Sequence, residues 1–461
     1  MALSSQRQST ARDMTQGPIL QQLVSFALPL MLGNVFQMLY NTVDSVIVGN
    51  FVSKQALAAI GSTAVIVNML VFFFNGFSIG AAVLISRYFG ARSQEKLHAA
   101  IETTMAATFV LSLAFSVLGI VLVKPLLAIM RTPEDVLQDA ALYLRIYFGG
   151  MAGLLIYNMG SGILRAVGDS TRPLYFLILT SILNILLDLF FVIVLRAGIA
   201  GAAIATVLSQ FLSAVLILTL LTRTRDVYRM SWRELSIDGA ILGKIFAVGM
   251  PAAIQSVVTS FSNIFVQGYI NVFGSDVMAG WSSYNKLDQF IMLPMQSMSM
   301  AATTFVSQNI GAGDDQRSDR GTVIAIEMTC SVTGVIALLL YAFAPGAVRL
   351  FSPDPAVIRY GVLFVRTNVF FMLFNCVNHV LAGALRGRGD SRGPMVIMLS
   401  TFVVLRQCYL YFVTRYIANT PRIVGFGYPV GWIACCVIEL IYAWHQRHGR
   451  LGAETLMNRD S

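Results

Sequence analysis

Ten residues of this chain occur twice in nearly the same form. Leu164–Pro173 reads Leu-Arg-Ala-Val-Gly-Asp-Ser-Thr-Arg-Pro, and Leu385–Pro394 reads Leu-Arg-Gly-Arg-Gly-Asp-Ser-Arg-Gly-Pro. The copies lie 221 residues apart, just under half of the 461-residue chain. Gly90-Ala91 and Gly311-Ala312 keep that offset, as do Arg145 and Arg366, while Pro29 and Pro251 miss it by one residue. A chain built this way is an internal duplication, and it must fold into two like halves.

Composition decides where those halves live. The sequence is 56% hydrophobic and only 12% charged, a balance that points to a bilayer rather than to water. Twelve stretches are long enough to span about 30 Å of hydrocarbon at roughly 20 residues each. They run 20–49, 57–86, 98–123, 137–163, 174–195, 201–222, 241–272, 277–306, 322–344, 357–384, 395–416 and 425–445. No strand-like alternation competes, so a helical bundle is expected. The first apolar run is too long for a signal-peptide core and stays as span 1. Lys and Arg divide 20 to 8 between alternate loops and ends, the richer set including Arg7, Arg87, Arg172, Arg233 and Arg459. The positive-inside bias then places both termini in the cytoplasm. The net charge of +9 is spread over these loops rather than gathered on a soluble module, so no nucleic-acid partner is expected. The five cysteines fall within spans and form no Cys-x-x-Cys, so disulfides and zinc sites are not expected.

The expected fold is therefore all-α and membrane-integral, with twelve transmembrane helices in two pseudo-symmetric six-helix lobes around a central cleft. Residues 1–18 form a cytoplasmic tail and 19–222 the first lobe. Residues 223–239 form a cytoplasmic linker, 240–445 the second lobe and 446–461 a second cytoplasmic tail. An even number of spans per copy makes the repeats parallel, an arrangement found in secondary transporters.

Function is read from polar groups inside the spans. Span 1 carries Asn34, Gln37, Asn41 and Asp44 at helical spacing, with Tyr40 one turn before Asp44. Span 5 carries Ser181, Asn184 and Asp188 on one face, and span 6 carries Thr206 and Ser209. Counting from the span ends puts Asp44, Asp188 and Thr206 at one depth. Two carboxyl groups in one low-dielectric pocket do not both ionise unaided: a proton is shared or a cation sits between them. Asn184 and Thr206 add neutral oxygens that suit a proton network or a hard monovalent cation. Intramembrane carboxyls are functional by default. The second copy repeats the polar face in span 7 (Gln255, Thr259, Ser262, Asn263, Gln267) without an acid, and Leu405 stands where Asn184 would be matched. Asn158, Lys286, Asp288, Asn375 and His379 are further polar groups within spans, and with Gln37, Asn41 and Gln255 they are candidates for a substrate cleft. Gly76-Phe-Ser-Ile-Gly80 matches a hydrolase nucleophile pattern but lies within a span with no preceding strand, so no enzyme is expected.

The two six-span copies, the Gly-Asp loops after spans 4 and 10 and the Gly-Ala pairs after spans 2 and 8 resemble multidrug and toxic compound extrusion (MATE) transporters over residues 20–445. Pro29, Tyr40, Asp44, Asn184, Asp188 and Thr206 resemble the first-lobe site of the DinF-like branch. The resemblance implies that Tyr40, Asp44, Asn184, Asp188 and Thr206 couple transport to H+ or Na+, with Na+ held by Asp44, Asp188, Asn184 and Thr206. It also implies a bend of span 1 at Pro29. The span 7 Glu and span 10 Asp of the NorM-like branch have no match here, since span 7 offers Thr259 and span 10 offers Asn and His. The implied activity is antiport of amphiphilic, often cationic compounds outward for H+ or Na+ inward. It needs no cofactor beyond the coupling ion, and it sets a monomer in a prokaryotic plasma membrane. A lipid or lipid-linked oligosaccharide flippase of the same superfamily is the alternative, and a non-transporting receptor or scaffold is another.

Overall fold

The computed structural model describes residues 12–130 and 132–457. Arg7, Arg131 and Arg459, and the outer parts of both tails, lie outside the described residues. Among the described residues there is no strand. The first copy holds α1 (Ile19–Phe51), α2 (Lys54–Gly90), α3 (Gln94–Ile129), α4 (Glu134–Gly149), α5 (Met151–Ala166), α6 (Thr171–Asp188) and α7 (Gly198–Arg223). The second holds α8 (Gly239–Asn271), α9 (Ser275–Gly311), α10 (Asp315–Arg349), α11 (Pro355–Asn368), α12 (Met372–Gly387), α13 (Arg392–Met398), α14 (Arg406–Tyr416), α15 (Pro421–Gly425) and α16 (Gly427–Met457).

Several expected spans prove to be broken rods. α4 and α5 meet at 49°. The wide π turn Leu189–Val194 extends α6, a 3-10 turn at Val369–Phe371 joins α11 to α12, and a π turn at Leu399–Leu405 joins α13 to α14. Among the described residues ten helices are each long and apolar enough to cross a membrane, and the bent pair makes eleven. α9 is the remaining expected span. It is 37 residues long but interrupts its apolar run with Lys286, Asp288 and several Ser, Asn and Gln. α1 runs as one helix through Pro29.

The chain divides into two compact units. The first comprises Val24–Met250 with the segment ending at Gly17 and Gln308–Asp314; the second comprises Pro18–Leu23, Pro251–Ser307 and the chain from Asp315 onward. Each contains one copy of the duplicated turn, and the two copies share their inner geometry. Gly168 and Gly389 sit at φ +86° and +93°, backbone that L side chains rarely adopt. Each lets its helix end in a C-cap in which the next amide reaches back: Asp169 N–H donates to Leu164 O at 2.9 Å, and Asp390 N–H to Leu385 O at 3.0 Å. Each aspartate then caps the following helix. Asp169 Oδ1 accepts from the Thr171 and Arg172 amides at 3.1 Å, and Asp390 Oδ1 from Gly393 N–H at 2.9 Å. Burial pushes the Asp169 carboxyl above its ordinary range, against the pull of those amides and of Arg172.

Outside that shared geometry the copies diverge. In the first unit Arg172 donates to Tyr228 Oη at 2.8 Å, and Tyr228 Oη donates to Asp226 Oδ2 at 3.0 Å. The linker is thus not a solvated strand of chain, because Tyr228 and Met230 are fully buried. In the second unit Asp390 Oδ2 accepts from Tyr442 Oη at 2.7 Å and Gln446 Nε2 at 2.8 Å. Arg388 pairs with Asp315 and Asp319 there.

The duplicated Gly-Ala pair also acquires a physical role, inside the first unit. The ends of α2 and α9 cross at backbone contact. A Cβ on Gly90 would lie 1.9 Å from Gln308 O, and one on Gly311 would lie 2.0 Å from Arg87 O. Gln308 is Arg87 shifted by the repeat offset, so the contact is symmetric in the duplication. A strap of chain crosses the same place. Met14 is fully buried, and its amide donates to Gln308 Oε1 at 2.9 Å while Gln308 Nε2 donates to Ala166 O at 2.9 Å. Arg12 O lies against Gly168, where a Cβ would meet it at 2.2 Å. The nucleophile-like Gly76 and Gly80 are packing positions too. Gly80 faces Ile245 O, and Gly249 faces Gly76 O.

Gly90→Val and Gly311→Val should each cost at least ~1–3 kcal/mol of stability, because backbone cannot yield as a side chain can. Melting in detergent measures it, with Gly61→Ala, where nothing lies within 4 Å, as the neutral control. A Gly90→Val protein that melts like the parent would remove the crossing from the fold's support.

Candidate functional site

The site is built from four helices of the first unit. α5 and α7 lie close because glycines face α7: a Cβ on Gly150 would meet Val207 at 2.3 Å, and one on Gly153 would meet the Gln210 and Phe211 backbone at 2.9 Å. Gly149, by contrast, has nothing within 4 Å. This approach carries Thr206 and Gln210 inward. On α6 the acid comes at the last α-helical residue, Asp188, immediately before the π turn. Wide turns of this kind are frequent at functional positions because they re-aim the side chains beside them.

The Asp44 and Asp188 carboxyl groups lie within hydrogen-bonding reach of each other. Asp188 has no exposed surface. Neither of its oxygens, nor the buried Oδ1 of Asp44, receives a hydrogen bond from a described residue. Asn184, one turn before Asp188, is 2% exposed, and both its amide atoms are likewise without partners. Unpartnered polar atoms in an apolar interior are costly, and here they are concentrated in one place. Beside them is a cavity of about 60 Å³, lined among others by Gln37, Tyr40, Tyr157, Asn158, Asn184, Thr206 and Gln210. That is room for waters or one small cation. Thr206 donates its hydroxyl to Ala202 O at 3.0 Å, which leaves its oxygen able to accept or ligate.

The structure thus brings Asp44 and Asp188 together and places Tyr40, Asn184, Thr206, Gln37 and Asn158 on one cavity wall. Asn41 is exposed, as Gln37 is, but does not line this cavity. The other cleft candidates belong to the second unit. Gln255 donates to Met398 Sδ. The Lys286 ammonium lies 5.4 Å from the Phe351 ring centroid. Asp288 Oδ1 accepts from Tyr284 at 3.4 Å. Asn375 donates to Met292 Sδ at 3.4 Å, and His379 O accepts from Ser299 at 2.6 Å.

Sequence reasoning missed the tyrosines. Tyr143 on α4, with Tyr40, stands in the electrostatic field of the two acids, and Tyr147 lies beside them. Tyr143 and Tyr147 stack at 6.1 Å, and Gln210 bonds to Tyr147. The i, i+4 spacing of two tyrosines on one helical face was the available signal. It also missed what replaces the acids in the second unit. Arg406 is 3% exposed, donates to Ser262 Oγ at 2.6 Å and Asn263 Oδ1 at 2.9 Å, and stacks over Tyr428 at 4.6 Å. A π turn ends directly before it, as one begins directly after Asp188.

Comparison with known proteins places this geometry. The family profile described as MatE matches residues 29–190 and 251–412, one match per copy of the duplication. The chain is 30% identical over 452 residues to "Probable multidrug resistance protein YpnP" of Bacillus subtilis (strain 168), covering 97% of this chain and 99% of that protein. It is 26% identical over 410 residues to "Probable multidrug resistance protein NorM" of Thermotoga maritima, covering 86% of each. Among solved structures, one described as the outward-facing conformation of a multidrug resistance MATE family transporter gives a TM-score of 0.89 at 22% identity, over 95% of this chain and 98% of that one. A MATE structure in the bent conformation gives 0.90 at 22% identity over 96% and 98%. These establish the fold as all-α and membrane-spanning, with twelve helices in two six-helix repeats.

If the buried acids serve transport rather than folding, Asp188→Asn should melt at or above the parent temperature, since the amide removes a buried ionisable group without changing shape. A fall of several degrees in detergent would assign Asp188 to structural support.

Proposed function

As the chain belongs to the MatE family of multidrug efflux transporters, we propose that it is a proton-coupled antiporter whose coupling site is the Asp44–Asp188 pair of the first unit. Proteins of this family are transporters and not enzymes, and this one is a multi-pass membrane protein. The observation that carries the proposal is the direct approach of the two carboxyl groups. Groups already within hydrogen-bonding reach are bridged by a proton with no rearrangement, whereas Na+ needs oxygens spread around it.

The residues divide the work. Asp44 and Asp188 hold the proton between them, and Asn184 and Tyr40 can re-bond to whichever carboxyl is left ionised. Thr206 completes the oxygen set on the cavity wall, which gives Na+ a possible ligand group as well: two carboxylates, an amide oxygen and a hydroxyl. Gln37 and Asn158 extend the polar wall toward an amphiphilic, often cationic compound. Binding of a cation near the pair favours loss of the proton, and reprotonation favours loss of the compound. This is competition at one negatively charged site. At about 2.3 kcal/mol per charge per 100 mV, one inward proton supports roughly 50-fold accumulation of a neutral compound outside, whereas exchange for a monocation is electroneutral and is driven by the pH difference. The membrane is a prokaryotic plasma membrane with both termini in the cytoplasm, and the monomer suffices because the acid pair lies within one unit.

The test is efflux of a fluorescent cationic dye from proteoliposomes under an imposed pH or Na+ gradient. The parent should respond to the pH gradient, and Asp44→Asn should lose at least about 90% of that response. Efflux driven by Na+ alone would change the ion. Dye movement unaffected by Asp44→Asn would remove the pair from coupling. A folded protein that moves no dye would favour a lipid-linked substrate.

A further inference from the structure

On the first unit, between the C-terminal part of α3 and the N-terminal half of α4, lies a groove of about 620 Å³. It has no part in the acid site. Its floor is apolar, lined by Ala128 of α3 and Leu137, Ala141 and Leu142 of α4. Two cations line it, Lys124 from α3 and Arg145 from α4, together with Thr132 and Gln138 and no acidic side chain. Arg145 is eleven residues into α4, but helical side chains lean toward the N-terminus of their helix. Its guanidinium therefore rises toward the α3–α4 connection, the end at which Lys124 also lies. Thr132 Oγ1, at that connection, is buried and meets no hydrogen-bond partner among the described residues.

The duplication supplies an independent control. Arg366 is the copy of Arg145, and its guanidinium lies over the Tyr341 ring at 5.3 Å. The first-copy position matching Tyr341 is Ile120, which offers no π face. The same inherited arginine is thus capped by an aromatic ring in one unit and opens onto a groove in the other.

We propose that this groove binds an anionic phospholipid. The phosphate lies between Lys124 and Arg145, and an acyl chain runs along the floor past Ala128, Ala141 and Leu142. Free phosphate would satisfy the cations and leave the floor uncovered; a phospholipid uses both, and the lipid-facing wall of α3 is where one would arrive. α4 carries Tyr143 and Tyr147 on a different face, toward the acid pair, so a lipid seated here packs against the helix that positions them.

The test is retention of added phosphatidylglycerol or phosphatidylcholine by delipidated protein, read by native mass spectrometry. The parent should keep phosphatidylglycerol at least about 10-fold better than phosphatidylcholine. Lys124→Gln/Arg145→Gln should abolish that preference, while Arg359→Gln/Arg422→Gln, two exposed cations elsewhere, should keep it. Should the charge variant fail to fold, Ala141→Trp fills the floor with both cations in place and should release the lipid equally. Excess inorganic phosphate should leave the lipid bound. Equal retention of the two lipids, an unchanged preference in the folded charge variant, or complete displacement by phosphate would overturn the proposal.

Discussion

Two carboxyl groups held against each other in the wall of a membrane protein are the constraint on which the rest turns. Asp188 is sealed from solvent, Asn184 beside it has no partner for either amide atom, and Asp44 faces Asp188. In an apolar medium each such group costs free energy unless it is bonded. A fold that carries several of them in one spot must stabilise that spot from outside. Here the outside is close helix packing at Gly150 and Gly153, the stacked tyrosines of α4 and a capped helix start at Asp169. The cost is local: the unpartnered atoms of Asp44, Asp188 and Asn184 lie together.

The duplication explains how one unit came to hold an acid pair at this place and the other an arginine. Both copies keep what the backbone needs: the left-handed glycine and capping aspartate of the repeated turn, and the glycine that lets a helix end cross another. None of these depends on which polar side chain points inward. The side chains were therefore free to part company, to Asp188 beside Asp44 in one unit and to Arg406 on Ser262 and Asn263 in the other. Arg145 and Arg366 show the same divergence, one opening to a groove and the other stacked on Tyr341.

Much of this was legible beforehand. The repeat offset, the apolar spans and the helical spacing of Asn184 and Asp188 follow from periodicity, and periodicity is what a helix in lipid enforces most strictly. What stayed hidden depended on contacts between spans. Gly90 and Gly311 were visible as a matched pair, but a carbonyl oxygen 1.9 Å from a hypothetical Cβ is a tertiary fact. The bend at Gly150 and the π turns were not readable, since an apolar run gives no sign of where its hydrogen-bond pattern widens. The linker between the copies is polar in sequence, yet Tyr228, bonded to Arg172 of the duplicated turn, and Met230 are buried.

The central claim is that the Asp44–Asp188 pair surrenders a proton when a cationic compound binds. The most direct test is proton release on adding a cationic dye to detergent-purified protein in a weakly buffered solution, recorded by a pH indicator. Release of close to one proton per bound dye is expected, with release absent in Asp44→Asn protein that still binds dye. Dye binding by the parent with no proton released at any pH from 5 to 8 would contradict the account.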